Sequence, residues 1–174
     1  MNKLTFCFNA TKVGSWPKIK ISIDDVVVHD HCFSQADESV QIPIDLSSGH
    51  HTLQIERYGK TTENINYDCV NDVIIEDQTL ELTNIYIDDI SLPVLFLYEG
   101  VWHWENHVEP RALFWGPNGY WTWKFDTPMI PWAISFNRIH QDAHGDMITP
   151  YIDDLSLIYK YIDQLEKAIS ESNT

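Results

Sequence analysis

The stretch Val40-Gln-Ile-Pro-Ile-Asp-Leu-Ser-Ser-Gly-His-His-Thr-Leu-Gln-Ile55 decides the fold class of this 174-residue chain. Val40, Ile42, Ile44 and Leu46 occupy alternate positions, as do Leu53 and Ile55, and Ser47-Ser48-Gly49 lies between the two runs. Side chains of a strand point alternately to opposite faces, so this pattern describes strands with one covered face. Serine and glycine supply the turn between them.

The same pattern extends outward. Leu4, Phe6 and Phe8 alternate, and so do Ile19, Ile21 and Ile23, which end at the turn-prone pair Asp24-Asp25. Val26 to Val28 resume the strand, so 18–29 is expected to be a hairpin. From Leu80 to Asp89 the alternation slips phase: Leu80 and Leu82 share one parity, Ile85 and Ile87 the other. A bulge near Thr83-Asn84 restores the inward face. Strands with closely spaced turns predict an antiparallel β-sandwich over residues 1–92.

Six of the seven tryptophans lie between Trp102 and Trp132. Residues 93–148 therefore read as an aromatic extension that packs on the sandwich or joins it to partners. Its clearest piece is Ala112 to Phe125, expected as a hairpin around Gly116-Pro-Asn-Gly119, with Trp121, Trp123 and Phe125 on one face. The block has two readings. Trp102, Trp104 and Trp115 are candidate core or interface residues; Trp121 and Trp123 are a candidate platform for sugar rings.

Residues 149–172 read as a helix. Thr149 is a candidate N-cap, Pro150 suits the first helical position, and Leu155, Ile158, Ile162, Leu165 and Ile169 form an apolar stripe. The stripe packs on its own domain or on another copy, and its residues are candidate interface positions.

The net charge is −15 at pH 7, with residues 1–92 carrying 6 basic and 15 acidic side chains and residues 93–174 carrying 5 and 11. Nucleic-acid binding is excluded on this balance, because phosphate contact needs clustered Lys and Arg. Docking on an anionic bilayer is disfavoured too. There is no run of 18 apolar residues, and so no expected membrane insertion. The start of the chain does not read as a signal peptide. Cys7, Cys32 and Cys69 are odd in number and form no CxxC, which points to folding in a reducing cell.

No catalytic motif stands out. His103 and His107, like His140 and His144, are four apart, but the zincin order of residues is missing. Glycine-framed serine, phosphate-loop and dinucleotide patterns are also missing. Aspartates in loops are candidate ligands for a hard cation, with Asp72 and Asp77 the foremost pair.

Pro17-Lys-Ile-Lys-Ile-Ser-Ile-Asp-Asp25 followed by Val26-Val-Val resembles the opening hairpin of the calcium-dependent xylan-binding modules. Gly49-His-His-Thr-Leu-Gln-Ile55 is similar to their G-x-H-T strand, and Asp77-Gln-Thr-Leu-Glu-Leu leading to Ile85-Tyr-Ile-Asp-Asp89 resembles their closing strand. The resemblance implies a carbohydrate-binding sandwich over residues 17–92. It also implies calcium and sugar ligands beside the closing strand, where Asn71-Asp72 and Asp77 match; Thr79 stands where the pattern has asparagine. The whole chain also looks like structural proteins of tailed phages of marine bacteria.

The sequence thus leads to a mainly β, jelly-roll-like carbohydrate-binding-module sandwich with an aromatic hairpin segment and a C-terminal α-helix. The expected role is a non-catalytic virion protein of decoration, knob or fibre type, assembled in the host cytoplasm. Its expected partners are other virion proteins, further copies of itself and cell-surface glycan. Calcium is the one cofactor implied. A free calcium-dependent carbohydrate-binding module and a glycan-acting hydrolase are the alternatives.

Overall fold

The computed structural model describes residues 2–92, 94–133, 135 and 162–163. Its strands form two antiparallel sheets around one core. In the first sheet, β1 (Asn2–Ala10) lies between β4 (Asp37–Ile44) and β8 (Leu80–Ile87). Two short strands, β9 (Ile90–Ser91) and β12 (Phe114–Trp115), also pair with β8. The second sheet runs in the order β11 (His107–Pro110), β10 (Val101–Trp104), β13 (Gly119–Thr127), β5 (Gly49–Tyr58), β2 (Lys18–Ile23) and β3 (Val26–Cys32). A separate ribbon, β6 (Ile65–Asp68) and β7 (Val73–Asp77), projects between β5 and β8 in sequence. A short helix α1 (Val94–Tyr98) follows β9.

The alternating residues supply the core. Leu4, Phe6, Phe8, Val40, Ile42, Leu82 and Ile85 come from the first sheet; Ile19, Ile21, Leu53, Ile55, Trp121, Trp123 and Phe125 come from the second. Pro43 is accommodated because β4 is an edge strand, paired with β1 on one side, and proline cannot donate to a ladder on both sides.

Two local readings are borne out in detail. Asp24 and Asp25, between β2 and β3, take φ of 49° and 65°, the pair of positive values that a tight two-residue hairpin turn requires. The phase slip in β8 is a bulge: Cys7 pairs with Asn84 and Phe8 with Leu82, which leaves Thr83 as the extra residue. Its hydroxyl donates to the Cys7 carbonyl at 3.0 Å.

The aromatic segment folds differently from expectation. Phe114-Trp115 pairs with Glu81-Leu80 of the first sheet, whereas β13 pairs with β5 and β10 of the second. Gly116 to Asn118 therefore carries the chain from sheet to sheet rather than closing a 112–125 hairpin. Asn118 fixes this crossing with both ends of its amide, accepting from the Lys60 N–H and donating to the Lys60 carbonyl, each at 2.9 Å. The hairpin in this segment is the β10–β11 pair. Neither sheet breaks at residue 92, since β13 pairs with β5 over nine positions.

Close packing explains one glycine here. A Cβ on Gly100 would lie 1.9 Å from the Trp121 ring. Of the expected C-terminal helix, Ile162 and Asp163 are helical and Ile162 is 42% exposed; Leu155, Ile158, Leu165 and Ile169 lie outside the described residues.

Candidate functional site

The tryptophans sort by strand parity. Trp121 and Trp123 are 0% and 1% exposed, so they face the opposing sheet and offer no ring to a sugar. The expected platform is corrected on this point: stacking needs an open aromatic face, and both rings pack in the core. Trp123 donates its indole N–H to the Phe96 carbonyl at 2.8 Å. Trp102 and Trp115 are buried as well and stack on each other. Of the expected interface tryptophans, Trp104 alone is half-buried.

The residues between the buried ones point outward. Tyr120, Thr122 and Lys124 of β13 alternate with Trp121, Trp123 and Phe125, and β10 places His103 opposite Tyr120 and Val101 opposite Thr122. His103 and Tyr120 stack with centroids 4.7 Å apart and planes at 11°; Trp104 and His107 stack at 4.2 Å and 21°. Trp104 and His107 share the inward parity of Trp102, so the two pairs lie on opposite faces of the β10–β11 end of the sheet and line a cleft of about 280 Å³ there, to which Glu105 and Asn106, at the β10–β11 turn, also contribute. Tyr120 is 40% exposed.

The local sequence builds this cleft. Glu105 takes a positive φ of 49° at the hairpin turn. Gly119 opens β13 where a Cβ would meet the His103 carbonyl oxygen at 2.3 Å, so the absence of a side chain lets the two strands approach. The cleft offers flat aromatic faces beside a carboxylate and an amide. Such a lining stacks on the C–H faces of a polyhydroxylated ring and accepts and donates hydrogen bonds at its hydroxyls.

The expected calcium pair does not meet. Asp72 sits at the tip of the β6–β7 ribbon with φ 58° and accepts from the Tyr67 hydroxyl. Asp77 closes the root of the ribbon and is ion-paired with Lys60. The five residues of β7 separate them by about 16 Å at ~3.3 Å per residue, whereas calcium ligands share an ion at ~2.3–2.6 Å. Among the described residues, no group of three or more His, Cys, Asp or Glu side chains is arranged to hold a metal ion. The residues present do not fit the implied calcium site.

Asp77 serves a different purpose. Arg57 is 1% exposed and reaches Gln78, its Nη2 donating to the Gln78 carbonyl at 2.7 Å and to Oε1 at 3.1 Å. Burial lowers the Arg57 pKa to about 10, with the Asp77 carboxylate opposing the drop. Lys60 is also pushed down by burial and held up by Asp77. Gln78 and the buried Asn64 bond onward to Ser15, by side-chain amide to backbone carbonyl at 2.8 Å and to hydroxyl at 3.1 Å. This network anchors the root of a ribbon whose Tyr67, Val70, Val73, Ile74 and Ile75 are exposed.

At the far end of β5, His51 is buried and ties three loops. Its Nδ1 lies 2.7 Å from Asp24 Oδ2, and its Nε2 lies 3.0 Å from both the Ser47 carbonyl and Thr127 Oγ1. A carboxylate and a carbonyl only accept, so this arrangement is satisfied by an imidazolium donating from both nitrogens. The Asp24 bond raises the His51 pKa, and the same bond lowers that of Asp24.

No family model and no curated protein matches the chain. The fold resembles that of calcium-dependent carbohydrate-binding modules. One solved structure, the selenomethionine form of the module vCBM60, aligns with a TM-score of 0.48 at 12% identity, covering 71% of this chain and 90% of that one. The same module in complex with galactobiose aligns with a TM-score of 0.48 at 10% identity, covering 70% and 96%.

The sequence pattern singles out Trp104 but not Tyr120 and His103, which line the same cleft from the open face. A signal for them exists: Thr122 and Lys124, set between the aromatic positions of β13, mark the outward parity.

Proposed function

We propose that this chain is a non-catalytic accessory protein of a tailed-phage virion whose β-sandwich binds glycan at the β10–β11 end of its six-stranded sheet. The observation that carries the binding role is the cleft framed by the stacked pairs His103–Tyr120 and Trp104–His107. Aromatic faces beside Glu105 and Asn106 suit a neutral polyhydroxylated ring. The acidic surface, at net charge −15, repels polyanionic chains. The virion setting is supported by the resemblance of the sequence to phage structural proteins.

A glycan array probed with the wild-type chain and with Tyr120→Ala tests the binding role. Retention of neutral glycans by the wild type and its loss in the variant, with unchanged melting, is the expected result. Equal retention by both rules this cleft out as the binding site.

A second contact is favoured by the β6–β7 ribbon. An apolar strand surface held on a rigid polar root is the form of an assembly element, and virion neighbours or further copies of the chain are its proposed partners.

A further inference from the structure

The outer face holds a second cleft, of about 350 Å³, lined by Glu99, Val101, Thr122, Lys124 and Trp132. It abuts the first. Val101 pairs with Thr122 and His103 with Tyr120, and Thr122 Oγ1 lies 3.4 Å from His103 Nε2. The floor is therefore continuous along β13, and Tyr120 to Lys124 spans about 13 Å at ~3.3 Å per residue.

The two clefts are chemically alike. Each has an aromatic ring at its outer end: the His103–Tyr120 pair at one, Trp132 at the other. The Trp132 ring is set edge-on against Phe96 at 5.3 Å and Trp123 at 5.4 Å, which fixes its orientation while the residue remains half-buried. Between the rings lie a hydroxyl that donates and accepts, an ammonium that donates and a carboxylate that accepts. A single ring fills one cleft and leaves the other wet. A chain of linked polyhydroxylated rings stacks at both ends and meets the hydrogen-bonding groups between them.

From this continuity we infer that the site takes an extended neutral oligosaccharide lying along β13, with the Lys124–Trp132 cleft as a second subsite. The inference rests on the binding role proposed above. Occupying a second subsite adds contacts within one molecule, so affinity rises with chain length until both clefts are filled.

Calorimetric titration of the full chain tests this, using the strongest neutral glycan of the array as its monosaccharide and as oligomers of increasing length. Oligomers are expected to bind about tenfold or more tighter than the monosaccharide. Lys124→Ala is expected to lower oligomer affinity several-fold and to leave monosaccharide affinity unchanged. Monosaccharide bound as tightly as the longest oligomer, or oligomer affinity unmoved in this variant, overturns the second subsite while leaving the first cleft standing. No binding of any glycan by the wild type overturns the binding role and this inference together.

Discussion

Trp102 and Trp115 stack with ring centroids 4.9 Å apart and planes only 2° apart, one contributed by each sheet of the sandwich. The aromatic segment is thus a seam that closes the sandwich. Trp115 also meets Phe8 edge-on at 6.1 Å and donates its indole N–H to the Ala112 carbonyl at 3.0 Å. Trp115→Ala leaves a cavity at this seam and is expected to cost about 3–5 kcal/mol. Urea unfolding of the variant checks this; a loss below about 1 kcal/mol would remove Trp115 from the core. Tyr120→Ala, on the open face, is expected to stay within about 1 kcal/mol of wild type.

The turn at Asp24-Asp25 and the bulge at Thr83 are both legible in the sequence, because each follows from local rules. One is a short acidic pair between two apolar runs, the other a parity slip inside one strand. The placement of the tryptophans is not legible in this way, because their burial depends on long-range pairing. Trp121 and Trp123 face inward only because β13 lies between β5 and β10 in a sheet that another sheet covers. Phe114-Trp115 reads as half of a hairpin because its true partner, Glu81-Leu80, lies more than thirty residues away. The calcium pair misleads for a simpler reason. Asp72 and Asp77 are close in sequence, but an extended strand keeps them at opposite ends of a ribbon.

The His51–Asp24 contact sets a pH profile. The raised His51 pKa means its contribution is complete below the ordinary histidine value of about 6.5 and fades as pH rises through the raised value. The lowered Asp24 pKa means its contribution is complete above the ordinary aspartate value of about 3.9 and fades as pH falls through the lowered one. This pair is therefore expected to stabilise the fold most between those two ordinary values. Melting temperatures from pH 3 to 9 (roughly the span of both titrations) for wild type and His51→Gln should differ least at the alkaline end. A difference that grows with pH above neutrality contradicts the assignment.

Asp77 compensates two cations rather than binding calcium. Asp77→Asn leaves Arg57 and Lys60 without their carboxylate and is expected to destabilise by about 3–5 kcal/mol. Asp72→Asn, at the exposed tip, should change stability by less than about 0.5 kcal/mol. Neither added calcium nor a chelator is expected to move the melting temperature or the glycan affinity. A calcium-induced rise in melting temperature that Asp72→Asn abolishes would restore a calcium site at the ribbon.

The ribbon offers a separable test of assembly. Ile74→Lys places a charge on the exposed β7 face, 54% open at this residue and outside the lining of the aromatic cleft. It should leave melting and glycan binding unchanged while reducing concentration-dependent association seen by light scattering. Association equal to that of wild type would take the ribbon out of the assembly surface.

Glycan binding is proposed for the cleft at the β10–β11 end of the sheet and the outward residues of β13, not for the buried Trp102, Trp115, Trp121 and Trp123. The sharpest test follows the indole N–H resonances of the seven tryptophans in one nitrogen-resolved spectrum during titration with the array-selected oligosaccharide. The signals of Trp104 and Trp132 are expected to move in a saturable way while those of Trp102, Trp115, Trp121 and Trp123 hold still. Movement of Trp121 and Trp123 with Trp104 unmoved would contradict the assignment.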